Sequence, residues 1–141
     1  MPEVSGYEGR EKYKLFPDMS SSAFTELLAD VRRDGVREPI RVDEDGNVLD
    51  GFQRLRACHE LGVECPEEMV SGLHEEEKLQ FIVECNRDRL EEKVKWVAKA
   101  IHRLGHSQRS VAKIIEKNQS QVSRYLSYSG DLPDIVLGRD G

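Results

Sequence analysis

His106-Ser-Gln-Arg-Ser-Val-Ala-Lys-Ile-Ile-Glu-Lys-Asn-Gln-Ser-Gln-Val-Ser-Arg-Tyr-Leu126 is the stretch that decides the fold of the C-terminal half of this 141-residue chain. Its apolar residues fall in two short groups, Val111, Ile114 and Ile115, then Val122, Tyr125 and Leu126. Each group has helical spacing and makes one narrow face. Ser107 can cap the first helix, and Asn118 or Ser120 the second. Only a short break around Asn118 separates them, so the two apolar faces must meet, as in a helix-turn-helix.

The second helix opens with Gln119, Ser120 and Gln121, and carries Ser123 and Arg124 beyond them. Solvation alone favours Glu and Lys at such positions, whereas Gln, Ser and Arg suit base edges and phosphates. Ser107, Gln108, Arg109 and Lys113, on or next to the first helix, would flank a duplex backbone. The expected partner is double-stranded DNA. The competing reading is a helical hairpin used for packing or protein contact.

Charge supports the first reading. The whole chain carries −6, but Lys93 to Arg124 holds eight Lys and Arg against Glu116 alone. That is +7 on this block and −13 on the rest. Screening beyond about 10 Å makes the local block, and not the net charge, the quantity a phosphate meets.

Upstream, another helix is expected along Val94, Val97, Ile101 and Leu104, ending at Gly105. The first half mixes strands and helices. A helix capped by Ser21 or Ser22 should run to about Asp34, with Phe24, Leu27, Leu28 and Val31 on one face and Gly35 as its stop. Strands are expected over Pro39–Val42 and 47–50, joined by a turn containing Asp45-Gly46. A helix follows over Phe52–Leu61, stopped by Gly62, then a short strand within 63–73, then a helix from His74 with acids in its first turn. Lys12–Phe16 is the only strand candidate before residue 20. The fold class is α+β, in four parts: an arm over 1–20, a mixed sheet-and-helix domain over 21–86, an all-α domain over 87–128, and a frayed tail from 129 to 141.

The strand, glycine and helix around Leu49-Asp-Gly-Phe-Gln-Arg-Leu-Arg56 carry a second chemistry. Gly51 would let an anion approach the backbone at a helix N-terminus, and Arg54 would supply a planar fork for phosphate. Against this, Arg54 and Arg56 could simply pair with nearby acids on a surface helix. Cys58, Cys65 and Cys85 lack metal-ligand spacing and read as reduced thiols, so no metal is expected. Asp43, Glu44 and Asp45 read as a solvated turn. No apolar run nears the roughly 18 residues of a membrane span, and residues 1–16 lack the apolar core of a signal peptide, so the expected location is the cytoplasm.

Together these motifs resemble the ParB/sulfiredoxin-like superfamily, in its short ParB-like form, from about Phe16 to Ser127. The helix followed by Gly35-Val-Arg-Glu-Pro-Ile40 is similar to the family's first motif, with Gly35, Glu38 and Pro39 at the matching places. Gly51, Arg54, Arg56 and Ala57 match its glycine-arginine box, in which Phe52 and Gln53 replace Glu and Arg. Glu84, Asn86 and Arg87 resemble its third motif. The resemblance implies a nucleotide site, for CTP with Mg²⁺, made by Gly35, Glu38, Asp50, Gly51, Gln53, Arg54, Arg56, Glu84, Asn86 and Arg87. It implies a clamp-like switch on DNA, in plasmid or phage partition or in transcription control. With Phe52 in place of the motif glutamate, hydrolysis is not carried over, and a weak CTPase stays open with Glu38 and Glu84 as its only catalytic candidates. The arginine-rich helper motif for a partner ATPase is not evident in the arm.

Two other readings stand beside this one. One is a nucleotide-dependent enzyme on the same fold: a small-molecule kinase with Glu38 or Asp50 as base, or a nuclease. Sulfiredoxin chemistry fails because Phe52 holds the place of its cysteine. The other is a protein-interaction module without nucleotide. A helix-turn-helix this small is expected to work as a homodimer, because one recognition helix covers few base pairs.

Overall fold

The computed structural model describes residues 9–127; the expected frayed tail and the start of the arm lie outside them. The fold is α+β, with six helices and a three-stranded mixed sheet among the described residues. The elements are α1 (Ser21–Asp34), β1 (Ile40–Val42), β2 (Val48–Asp50), α2 (Phe52–Leu61), β3 (Glu67–Met69), α3 (Glu75–Cys85), α4 (Arg87–Arg103), α5 (Gln108–Ile115) and α6 (Gln119–Ser127). Two compact units result, one comprising residues 9–14 and 18–72, the other 15–17 and 73–127. The units divide after Gly72, whereas the sequence pattern puts the domain boundary between 86 and 87; α3, between the two points, packs on α4 and α5.

In the first unit, strand order is β2-β1-β3, with β1 antiparallel to β2 and parallel to β3. Helix α1 packs on α2. Ile40, Val42 and Val48 meet Leu55 of α2 in one apolar cluster; Phe24 and Val31 of α1 meet Ala57 and Cys58 of α2 in another. Cys65 touches both. Helix α1 is capped one residue earlier than its spacing suggests, because the Ser20 hydroxyl accepts the Ala23 amide at 3.2 Å. Gly35 (φ 75°) and Gly62 (φ 70°) end α1 and α2 as expected.

The turn between β1 and β2 differs from the solvated loop expected of three consecutive acids. Asp43 is only 1% exposed. One of its carboxylate oxygens accepts the amides of Asp45 (3.0 Å) and Asn47 (2.8 Å), and the other accepts the Asn47 side chain (3.1 Å). Asp43 is therefore the clasp of the hairpin. Residues 12–16 also differ from expectation. They form no strand, yet Tyr13, Leu15 and Phe16 are all buried. The carbonyl of Arg10 accepts the Val48 amide at 3.1 Å, and so covers part of the β2 edge.

In the second unit, α4 bends at Lys93 (φ −115°) and buries Val94, Val97, Ala98 and Ile101 along the face its spacing predicts. Val111, Ile114 and Ile115 of α5 and Val122 of α6 complete this core. The three helices pack pairwise. The Arg89 guanidinium lies 5.2 Å from the Phe16 ring centroid and donates to the Pro17 carbonyl at 3.2 Å. No helix among the described residues is long and apolar enough to cross a membrane.

Replacing Asp43 with Ala leaves two amides and a side-chain amide without their acceptor in a half-buried turn, and should cost about 2 kcal/mol in urea unfolding. Asn at this position keeps one acceptor and should cost clearly less; equal losses would deny the carboxylate its clasp. The thiols give a second check. Burial, and then contact with Cys58, push the Cys65 thiol up to about 12, and Cys58 is buried while Cys85 is exposed. Because the thiolate is the reactive form, a disulfide reagent at pH 8 should modify Cys85 fast, and Cys58 and Cys65 only on unfolding. Fast modification of Cys65 in the native chain would contradict this packing.

Candidate functional site

Two constellations carry chemistry, one in each unit. The first is the turn from β2 into α2. Gly51 caps α2 in a left-handed conformation (φ 105°, ψ 23°), and as a glycine it makes no side-chain cap bond to this helix start. A Cβ here would stand 2.5 Å from Ile40 Cγ2 and 2.9 Å from Arg54 Nη2. Both the backbone conformation and the space therefore demand glycine.

Arg54 projects from the first turn of α2. Its Nη2 donates to Asp50 Oδ2 at 3.3 Å, and its Nη1 lies 3.8 Å from Glu38 Oε1. Its Nε is buried and has no acceptor among the described residues. Arg54 also lines a surface pocket of about 410 Å³ with Gly35, Glu38, Arg37 and the apolar Leu27 and Val36. The structure thus brings together Gly35, Glu38, Asp50, Gly51 and Arg54. Beside them, hydrogen bonds from Arg33 and then Arg37 hold the Asp34 carboxyl below the usual carboxylate range.

Gln53 and Arg56 are directed elsewhere. The Gln53 amide donates to Asp18 at 2.8 Å, and its carbonyl accepts Arg56 Nη1 at 3.1 Å and the Met19 amide at 3.5 Å. The Arg56 guanidinium stacks 3.7 Å from the centroid of Phe24. These two residues fasten α2 to α1 and the segment before it.

Glu84, Asn86 and Arg87 belong to the second unit. Asn86 joins α3 to α4, and its side chain donates to the Ile82 carbonyl at 2.9 Å. Arg87 donates to Glu84 at 2.6 Å and to both carboxylate oxygens of Glu116 at 3.1 and 3.3 Å. These hydrogen bonds, Glu84's first, raise the Arg87 pKa. The two catalytic candidates, Glu38 and Glu84, are 77% and 70% exposed and each faces an arginine.

The second constellation is α5, a three-residue turn and α6. Glu116 ends α5 in the left-handed region (φ 60°), the only non-glycine among the described residues to do so. Asn118 Oδ1 accepts the Gln121 amide at 2.8 Å and the Ser120 hydroxyl at 2.8 Å, and the Gln121 side chain accepts the Asn118 amide at 3.2 Å. This is a reciprocal capping box, whose Asn-x-x-Gln spacing is visible in the sequence. It engages Ser120 and Gln121 in holding the helix start. Gln119, Ser123 and Arg124 stay exposed around buried Val122. Ser107 caps α5 through the Ser110 amide at 3.2 Å; Gln108 and Arg109 are exposed.

The basic block is less free than its count suggests. Lys113 meets Glu76 of α3 at 3.2 Å, and Lys117 is hydrogen-bonded to Glu91 of α4, which raises its pKa. These acids lie before Lys93 in the chain, and only the fold brings them to the block. The same is true of Ser110, whose bond to Glu76 no spacing announces.

Gly51 and Gly62 separate strain from crowding. Both sit in the left-handed region, but Gly62 has open space around a would-be Cβ. Gly62→Ala should therefore cost about 1 kcal/mol, and Gly51→Ala at least about 3 kcal/mol, because Ile40 must also move. Equal shifts in the urea midpoint would show that the close approach to Ile40 is not a constraint.

No protein-family description matches this chain, and no curated protein matches it. Among solved structures it is similar to the C-terminally truncated chromosome-partitioning protein ParB from Caulobacter crescentus, complexed with CTP-gamma-S. The two are 20% identical over 87% of this chain and 76% of that one, with a TM-score of 0.46.

Proposed function

We propose that this chain is a ParB-like DNA-binding protein that reads duplex DNA through α6 and takes a nucleotide at the Gly51–Arg54 turn as a switch. The observation that carries the DNA reading is the exposure of Gln119, Ser123 and Arg124 on a helix that buries Val122 and whose start is locked by its own capping box. Residues near the start of a second helix are those that reach base edges in this motif. Gln can bond adenine in two places, and Arg can fork onto guanine. Arg109 on α5 and Arg103 on α4 are exposed and have no ion pair among the described residues, so they suit phosphate contact.

The switch rests on different residues. With glycine as its N-cap residue, α2 begins without a side-chain cap bond, and an anion there would meet its first free amides. Arg54 Nε is buried with no acceptor among the described residues, while Asp50 and Glu38 lie against its two terminal nitrogens. The resemblance of Gly35, Gly51 and Arg54 to the family's motifs favours CTP with Mg²⁺ as the ligand. A homodimer follows from the small reach of one recognition helix.

Binding of a labelled duplex, followed by fluorescence anisotropy, tests the DNA reading. Affinity should fall steeply as salt rises, and Arg124→Ala should weaken it about tenfold. No saturable binding even at low salt would reject it. Calorimetric titration with CTP, ATP and GTP in Mg²⁺ tests the switch. One nucleotide should bind saturably, and binding should be lost in Arg54→Ala. If none binds, the turn is purely structural and the DNA reading stands without a switch.

A further inference from the structure

The first turn of α3 is acidic, which its helix dipole favours, but two of its carboxylates also hold the region where α5 begins. Glu75 Oε2 lies 3.1 Å from His106 Nε2. Glu76 divides its two oxygens: Oε2 accepts the Ser110 hydroxyl at 2.7 Å, and Oε1 accepts Lys113 Nζ at 3.2 Å. Ser110 and Lys113 stand three residues apart on α5, so they share a face. A hydroxyl and an ammonium gripping the two oxygens of one anionic group is the arrangement that would hold the two non-bridging oxygens of a phosphodiester. Serine and lysine are also the side-chain types that take DNA phosphates.

We propose that Ser110 and Lys113 form a phosphodiester clamp on α5, that Glu76 is its built-in occupant, and that duplex DNA must displace this carboxylate to bind. The proposal rests on the DNA-binding reading above and adds a site and a brake to it. The contact suits displacement. Lys113 is 67% exposed and Glu76 34% exposed, so solvent screens their attraction. The hydrogen bond from Ser110, and then that from Lys113, hold the Glu76 carboxyl below its usual range, so it is an anion at neutral pH. The brake is therefore a charge already in place, which needs no ligand to set it.

The test is a double-mutant cycle on duplex affinity in the full chain, at about 100 mM salt. Glu76→Gln should tighten binding about fivefold and steepen the salt dependence by about one counterion, as Lys113 becomes available. In a Lys113→Gln background, Glu76→Gln should gain nothing. Glu92→Gln, which removes an exposed charge on α4, should change affinity less than twofold. Equal gains from Glu76→Gln and Glu92→Gln, or the same gain with and without Lys113, would mean general electrostatics and overturn the clamp. A lysine acetylation footprint on the wild-type chain tests the site without any variant: saturating duplex should protect Lys113 several-fold, and unchanged labelling would overturn it. If neither wild type nor Glu76→Gln binds duplex at low salt, the DNA reading itself fails; if wild type binds and Glu76→Gln matches it, only the clamp does.

Discussion

The backbone of Gly51 runs so close to Ile40 that no side chain fits between them. Much of the first unit follows from this approach. Because the chain turns from β2 into α2 without room for a Cβ, α2 begins directly against β1, and Leu55 falls onto Ile40, Val42 and Val48. The same turn puts Arg54 beside Asp50, one residue before the glycine. Its Nε is buried there without an acceptor among the described residues, which a tightly packed interior tolerates poorly unless something else can use the group. The geometry of the sheet and the chemistry of the arginine thus have one origin.

The second unit shows how far local charge counting reaches. The block from Lys93 to Arg124 is strongly basic along the chain, yet in space Glu76 and Glu91 lie against Lys113 and Lys117. Arg103, Arg109 and Arg124 stay clear of such pairs among the described residues. The polar row on α6 is sorted in a similar way. Ser120 and Gln121 are held by Asn118, while Gln119, Ser123 and Arg124 face solvent. A helix that fixes its own N-terminus through two of its polar residues can present the others in a defined direction.

Periodicity and capping residues made most of the fold legible. Helix α2 spans the predicted Phe52–Leu61, and Gly35 and Gly62 stop their helices where expected, because these signals are local. What stayed hidden was which residues outside the regular elements the packing buries. Asp43 sits in an acidic turn that reads as solvated, and becomes buried because its carboxylate replaces the backbone partners the turn lacks. Tyr13, Leu15 and Phe16 form no regular element, and so show no period to read. In the candidate site, Gly51 and Arg54 could be picked out from strand, glycine and helix. That Gln53 and Arg56 face Asp18 and Phe24 instead depends on where α1 packs.

Glu116 illustrates a position where two demands conflict. Its left-handed backbone would suit glycine better, and an L-residue there loses about 1 kcal/mol. Yet its carboxylate receives both terminal nitrogens of Arg87, at the start of α4. Glycine would relax the turn but cut the tether between the end of α5 and the start of α4; an apolar side chain would keep the strain and lose the tether. Chain drift at this site is thereby confined to a narrow choice, and a relative carrying glycine there should also be free to lose the arginine.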